Sequence, residues 1–562
     1  MDVPRPRPDG EKRRPVIDPG KVIRRPADPQ PVESAVSPDV VISLPPAVLE
    51  RYNARVLDPV TAAVDPVVLR ESDRPPVVRS TVYIPNQLLV RNAVPENEAF
   101  AKLAHAASLF ELTLDVVPRA EVLTPRGDEA AQLPDPVSVV RLIPSGTKPA
   151  PPPDAWAVLL AYRQLRREEH AAASDVSLDH LLMLTPYGGF TPYGGFTPYG
   201  GFTPYGGFTP YGGFTGGGVE SFAMPGSGGR QPVTWLGGPP ARTPDAQLAT
   251  RRPVVAVLDT GIGPHPWLTD DIVTHDQTLS AALTSPATTT ANPKLLGLLA
   301  PDFGHGTFVA GLVRQKCPDA NIIDVKIGDG DGVLLESQML ALFDALLVRQ
   351  VRAQNESNVA DLIDVICLSF GYYDEQPEDQ IFDHKLAASI LALTQRGVTV
   401  VASAGNDSTS RCFYPAAYSP YNGGFVGDPN RDQVPVVSVG ALNPNRRTVS
   451  LFSNAGDWVA CHRPGAALVS TFPTDSNGAW QAGQSTYVAG DGTRSTIDPD
   501  DFDGGPDGGF GTWSGTSFSS PILAGELAQA QLESGGLDSI DQASCVERGW
   551  NAVSKCVGIQ RP

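Results

Sequence analysis

The chain has 562 residues, 41% of them apolar, and a net charge of −19. That is length for two to four domains and apolar content for at least one large core. The acidic balance argues against a nucleic-acid binder, which would carry a basic face, and no run of 18 apolar residues offers a membrane-spanning helix.

Residues 1–45, within a Pro-rich N-terminal segment of 1–75, combine Pro, Arg and Asp with little apolar periodicity and are expected to be disordered. A short helix is expected at Pro46–Val56. No apolar h-region follows Met1, so a secretory signal is not expected and a cytoplasmic location is, with export by a non-standard route left open. From 80 to 184 the pattern changes. Asn86–Arg91 reads as a strand, Glu96–Leu109 as a helix, and Phe110–Val117 and Ser138–Ile143 as strands. Asp154–Glu168 reads as a helix N-capped by Asp154, and Ser177–Leu184 as a last strand. The order β-α-β-β-α-β describes a small ferredoxin-like unit.

Residues 185–252 form a Gly-rich linker. It opens with five copies of Thr-Pro-Tyr-Gly-Gly-Phe, from Thr185 to Phe214. Pro and two Gly in every six residues exclude a helix or an ordinary strand, so a string of turns is expected. A tandem duplication tolerated in a linker is the plainer account, and a partner-binding tract the other.

From 253 to 562 strands alternate with helices: Val254–Leu258, Asn321–Ile327, Leu362–Phe370 and Val398–Ser403 with Gly304–Arg314, Leu335–Gln354 and Gln380–Gln395. Such alternation predicts a mostly parallel sheet covered on both faces. The six cysteines form no C-x-x-C pair, so zinc is not expected. Free thiols are favoured, with Cys545 and Cys556 the pair to bridge in an oxidising compartment.

Three motifs carry chemistry. In VVAVLDTGIG, 254–263, an apolar strand ends in Asp259, at the sheet edge where α/β sites form. In GHGTFVAGLV, 304–313, His305 opens a helix of small and apolar residues. In WSGTSFSSPILAG, 513–525, a Gly-Thr-Ser turn sets Ser517 at a helix N-terminus, where unpaired N–H groups favour a developing oxyanion. Each alone has an ordinary explanation, as a capping residue or a helix start. Together they give Asp, His and Ser in the chain order of the subtilisin triad.

Residues 253–530 accordingly resemble the catalytic domain of subtilisin-like serine proteases. DTG, HGT and GTS match that family's signatures, SAGN at 403–406 a fourth, LSFG at 368–371 a fifth, and FSNAGDWV at 452–459 a further stretch. The resemblance implies a three-layer α/β domain with a mostly parallel sheet. It also implies a catalytic triad of Asp259, His305 and Ser517, with Asn406 in the oxyanion hole. Ser369, Phe370 and Gly371 would pair with substrate, and Phe370 hints at apolar or aromatic specificity. Phe308 and Ile522 depart from the family, which tends to have His at both places. The family commonly carries a ferredoxin-like inhibitory propeptide, the role the resemblance suggests for 80–184. An unrelated partner-binding domain is the competing account of that unit.

The expected activity is that of a monomeric serine endopeptidase made as a zymogen and acting on peptide or protein substrates, with no nucleic-acid or membrane partner. The alternatives are a non-catalytic binding protein on the same fold, or a processing protease dedicated to one intracellular peptide. No cofactor and no catalytic metal are expected. The acidic stretch in Asp475–Phe510 is a candidate for structural calcium, with a solvated loop the plainer reading.

Overall fold

The computed structural model describes residues 42, 44, 46–57, 78–117, 122–146, 152–168, 175–184, 231–281, 302–328, 332–376, 385–419, 430–475 and 508–562. The expectations for residues 1–41, the hexapeptide repeats and 476–507 of the acidic stretch lie outside them.

A helix, α1 (Pro46–Tyr52), is shorter than its sequence suggested. Asn53 takes a left-handed φ of 48°, a common way for a helix to stop. The next residues form a strand instead, β1 (Arg55–Leu57), paired antiparallel with β2 (Thr81–Arg91). The unit continues with α2 (Glu98–Ser108), β3 (Leu112–Val117), β4 (Val137–Pro144), α3 (Ala155–Glu168) and β5 (Val176–Leu184). Its antiparallel ladder runs β5-β2-β4-β3, with the first strand of the β-α-β-β-α-β unit inside the sheet. Strand β2 begins five residues before the predicted Asn86. Pro85 lies inside it, where the ladder with β5 slips between Tyr83 and Leu88, and an irregularity is where a strand tolerates proline. Asp154 caps α3 as expected, accepting from the Trp156 N–H at 3.1 Å and from the Tyr83 hydroxyl at 2.8 Å.

Alternation along β2 shows how the unit is held. Tyr83, Leu88 and Val90 pack with Leu103, Trp156 and Leu159 of its own helices. Val82, Ile84 and Leu89 face the other way, into a core shared with Met339, Leu342 and Phe343. Both faces of this sheet are therefore covered, one by the rest of the chain, and the apolar area removed from water drives the docking.

After β6 (Gln231–Pro232) comes the large domain, whose central sheet is built from β7 (Val254–Asp259), β8 (Val273–His275), β9 (Asn321–Lys326), β11 (Val365–Leu368), β13 (Thr399–Ser403), β14 (Val437–Leu442) and β15 (Cys461–Pro464). The order is β15-β14-β13-β11-β7-β9-β8, and every pairing is parallel. Helix α4 (His305–Lys316) precedes β9, and β10 (Val333–Leu335) runs directly into α5 (Glu336–Glu356). Then follow β12 (Phe370–Gly371) and α6 (Lys385–Gln395). Strands β16 (Leu468–Thr471) and β17 (Phe510–Trp513) form a small antiparallel sheet with β6, and α7 (Thr516–Ser534) and α8 (Gln542–Cys556) close the chain. The central strand β7 is wholly buried. Val255 and Val257 pack toward Phe308, Phe518 and Leu523 on one face, and Ala256 and Leu258 toward Phe343 and Ile390 on the other. That two-sided burial makes three layers, and explains why β7 reads as a continuous apolar run rather than an alternating one.

The segment before β7 is tied down by charge. Asp364, at 4% exposure, accepts both terminal nitrogens of Arg251, at 2.6 and 2.8 Å, and the Val254 N–H at 2.9 Å. All six cysteines are free thiols. Cys545 and Cys556 cannot be the bridging pair, because both lie on α8. Eleven helical steps put them about 16 Å apart, far beyond disulfide reach. Among the described residues no helix is long and apolar enough to cross a membrane.

Candidate active site

Asp259 is the last residue of β7, at the C-terminal edge of the parallel sheet. Next to it the chain turns through Gly261, and α4 starts so close that a Cβ on Gly306 would lie 2.5 Å from the Gly261 carbonyl oxygen. Glycine at 306 is thus a condition for bringing His305 up to Asp259. Thr260 reinforces the approach: its N–H donates to Asp259 Oδ1 at 2.8 Å, and its hydroxyl accepts from the Gly306 N–H at 3.1 Å.

His305 Nδ1 lies 2.7 Å from Asp259 Oδ1, and its Nε2 lies 2.9 Å from Ser517 Oγ. One imidazole thus spans both partners, with 46 residues on one side and 212 on the other. Ser517 is the second residue of α7, inside the turn whose N–H groups have no helical acceptor. All three side chains are fully buried, at 0% exposure. Trp513 and Phe518 pack on the His305 ring, with centroids at 5.4 and 5.0 Å.

Asn406 lies just past the end of β13. Its Oδ1 accepts from the Thr516 N–H at 2.9 Å. With the amide oxygen used there, Nδ2 is the end able to donate to an oxyanion. Asn454, unassigned by sequence reasoning although its FSNAGDWV segment was noted, fixes this loop. It donates to the Ala404 carbonyl and the Tyr373 hydroxyl, and accepts from the Asp407 and Thr409 N–H groups. Ser369 does not reach outward. Its hydroxyl lies 3.0 Å from the Ser517 carbonyl oxygen and 3.2 Å from Ser520 Oγ, so it braces the start of α7. The Phe370 ring is fully buried in the core shared with α5 and α6.

The backbone of Phe370 and Gly371 is engaged by the chain itself. Phe370 pairs with Leu184 and Gly371 with Met183, antiparallel. On the other side of the same strand, Leu181, Leu182 and Met183 pair with Leu335, Leu334 and Val333, and the Leu184 N–H donates to the Gly332 carbonyl at 2.8 Å. Strand β5 is therefore the middle strand between β10 and β12. Sequence reasoning missed β10, because Val333–Leu335 merges into the apolar pattern of α5.

Residues 250–539, more than half of the chain, match the family model of the subtilase family, peptidase S8. The chain belongs to the subtilase family. The intracellular serine protease of Paenibacillus polymyxa is 25% identical over 235 residues, covering 40% of this chain and 52% of that protein. Mycosin-5 of Mycobacterium tuberculosis is 26% identical over 227 residues, 38% of this chain and 34% of that protein. The chain thus spans about a third to a half of the length of these relatives. Among solved structures, fervidolysin from Fervidobacterium pennivorans, a keratinolytic enzyme related to subtilisin, aligns with a TM-score of 0.41 at 18% identity, over 83% of this chain and 56% of that one.

The two departures from the subtilase pattern are both packing residues. Phe308 is fully buried, 4.6 Å from the Phe518 ring and 5.9 Å from that of Trp513. Ile522 is buried in the same cluster. Neither touches the Asp–His–Ser chain through a polar side-chain atom, because neither has one. Carboxylates and a histidine also gather away from the site, at His180, Asp374 and Glu375. Both ring nitrogens of His180 are taken by carboxylates, Glu336 at 2.6 Å and Glu375 at 3.0 Å, leaving the imidazole no lone pair for a cation.

Proposed function

We propose that this subtilase is a serine endopeptidase that works through Asp259, His305 and Ser517 and is made as a self-inhibited zymogen. The observation that carries the reading is the placement of both His305 nitrogens, 2.7 Å from Asp259 and 2.9 Å from Ser517. A serine hydroxyl is a weak nucleophile at neutral pH. His305 takes its proton as Oγ attacks the scissile carbonyl and later returns it to the leaving amine. Asp259 holds the proton on Nδ1, so that Nε2 is the basic nitrogen, and stabilises the imidazolium. Asn406 and the Ser517 N–H hold the oxyanion.

The zymogen reading draws on β5. An extended peptide bound between β10 and β12 would be hydrogen-bonded as a central strand, and the C-terminal end of the 80–184 unit already holds that place. The unit is then an inhibitory propeptide, and 185–252 its link to the enzyme. Burial of Ser517 in this state agrees with a shut cleft.

Asn406→Ala is expected to lower kcat about 10²–10³-fold with little change in KM, the loss known from the equivalent donor of subtilisin itself. A change below about tenfold would remove Asn406 from the oxyanion hole. The reading as a whole is tested with a fluorophosphonate probe. Labelling at Ser517 is expected to be slow in the full chain and fast once limited proteolysis has removed the N-terminal unit. No labelling in either form would overturn the reading.

A further inference from the structure

Strand β5 carries a histidine where none is needed for a ladder. His180 is 1% exposed and lies at the contact between the N-terminal unit and the large domain. Its Nδ1 is 2.6 Å from Glu336 Oε2 and its Nε2 is 3.0 Å from Glu375 Oε2. Both carboxylates belong to the large domain, Glu336 as the first residue of α5, where the helix dipole favours a negative charge. Two carboxylates facing one imidazole from opposite sides demand a proton on each nitrogen, since both are acceptors. The ring also stacks on Tyr372 at 4.7 Å, whose hydroxyl donates to Glu336 Oε1 at 3.3 Å.

The other charged groups here balance the site. Arg163, from α3 of the unit, donates to Glu375 Oε1 at 2.6 Å. His180 and Arg163 thus bring two positive charges to two negative ones at the seam, with His180, Glu336 and Glu375 buried and Arg163 partly so. Asp374, beside Glu375, is buried, and that burial together with the Glu375 charge pushes its carboxyl up to about 7. Asp179, next to His180 on β5, accepts from the Ser337 N–H and from Gln87, and burial pushes it up to about 6. For His180 burial opposes the charge, but the hydrogen bonds and attraction of Glu336 and Glu375 prevail and hold it well above its ordinary value. Burial likewise opposes charge on Glu375, yet Arg163 and His180 hold it well below the usual carboxylate range.

We propose that His180 is a proton-operated latch: docking of the N-terminal unit takes up a proton at His180, so the unit grips the cleft in acid to neutral solution and loosens as the pH rises. The sign follows from the partners. An undocked His180 is solvated and titrates near about 6.5, whereas the docked one is held above that. The stabilisation is therefore complete below about pH 6.5 and lost as pH climbs toward the docked value. Asp374 and Asp179, raised by the same enclosure, release protons on undocking and push in the same direction. Above that window Glu336 and Glu375 face a neutral ring and one of the two loses its histidine donor, a large cost for a buried charge. The effect of the latch on activity rests on the zymogen reading, but the latch itself does not.

The test is hydrogen exchange on the full chain carrying Ser517→Ala, so that self-cleavage does not intervene. Protection of the 181–184 amides, which pair with β10 and β12, corrected for the intrinsic rate, is expected to fall about tenfold per pH unit above about pH 6.5, while β11 stays protected. In a chain that also carries His180→Gln, protection of 181–184 is expected to be low, with a shallower fall confined to pH below about 7, the part that Asp374 and Asp179 contribute. If that chain does not fold, Glu336→Gln serves, and should move the midpoint to lower pH. Protection of 181–184 independent of pH with His180 present, or the same pH dependence with His180→Gln, would overturn the latch. Normal pH-dependent protection combined with fast fluorophosphonate labelling of the wild-type full chain at every pH would overturn the zymogen reading and leave the latch standing.

Discussion

Replacing Ser517 by Ala is expected to leave the chain whole where the wild type cuts itself. Mass spectrometry of the two purified proteins should show cleavage between 185 and 230 in the wild type only. The upper bound comes from the anchoring of the segment before β7. The Thr243 N–H and hydroxyl donate to Asp319 at 2.7 and 2.8 Å, Arg242 donates to Asn321, and Arg251 is held by Asp364. A bond in that stretch would have to leave its contacts to reach Ser517, whereas the lower bound is Leu184, the last residue of a strand paired with β10 and β12. After removal of the unit from both proteins by a trace of added protease, turnover of a small peptide ester should differ by about 10⁶-fold. That is the loss known for subtilisin when its nucleophile is removed, and the remainder is what the oxyanion donors and binding supply unaided. Equal self-cleavage in both chains would assign it to a contaminating protease. Equal ester turnover would remove Ser517 from the mechanism.

Much of this site was legible because subtilase chemistry leaves marks that are local in sequence. Gly306 is needed where α4 meets Gly261, and Gly304 takes a φ of 81° beside the Phe472 ring; those demands produce the GHG around His305. Asp259 was visible as the polar end of a fully buried strand. What was not legible depends on contacts distant in the chain. Strand β10 has three residues, and its partner β5 lies about 150 residues earlier, so nothing near Val333 signals a strand. His180 read as one polar residue in SLDHLLML. Its meaning comes from Glu336 and Glu375, 156 and 195 residues away. For Ser369 the motif match located a segment expected to pair with substrate, without saying where the side chain goes, and that hydroxyl braces α7.

Asp259→Asn is expected to lower kcat/KM of the activated enzyme about 10⁴-fold, with folding and KM little changed. The side chains are nearly the same size, so the introduced amide would keep the buried space, but Oδ1 serves both the Thr260 N–H and His305 Nδ1, so an amide that turns its NH2 to the ring gives up the Thr260 bond. What changes is the instruction given to the imidazole. As a carboxylate, Asp259 only accepts, and its Oδ1 at 2.7 Å requires the proton on Nδ1. An amide can offer its NH2 instead, which favours the tautomer with the proton on Nε2, the nitrogen 2.9 Å from Ser517 Oγ. That nitrogen then has no lone pair to receive the serine proton. The imidazolium formed during attack also loses its counter-charge, in a buried site where water cannot readily replace it. Together these account for a loss of about four orders of magnitude, as measured for this substitution in trypsin-like triads. A second Asp–His pair supplies the control. Asp324 holds His275 Nδ1 at 2.7 Å and the Ile262 N–H at 3.2 Å. That His275 ring is half-exposed and lies on β8, at the far edge of the sheet from the Ser517 helix. Asp324→Asn should therefore cost far less activity than Asp259→Asn. Similar losses at both positions would mean that a buried negative charge near β7, and not the orientation of His305, is what the enzyme requires.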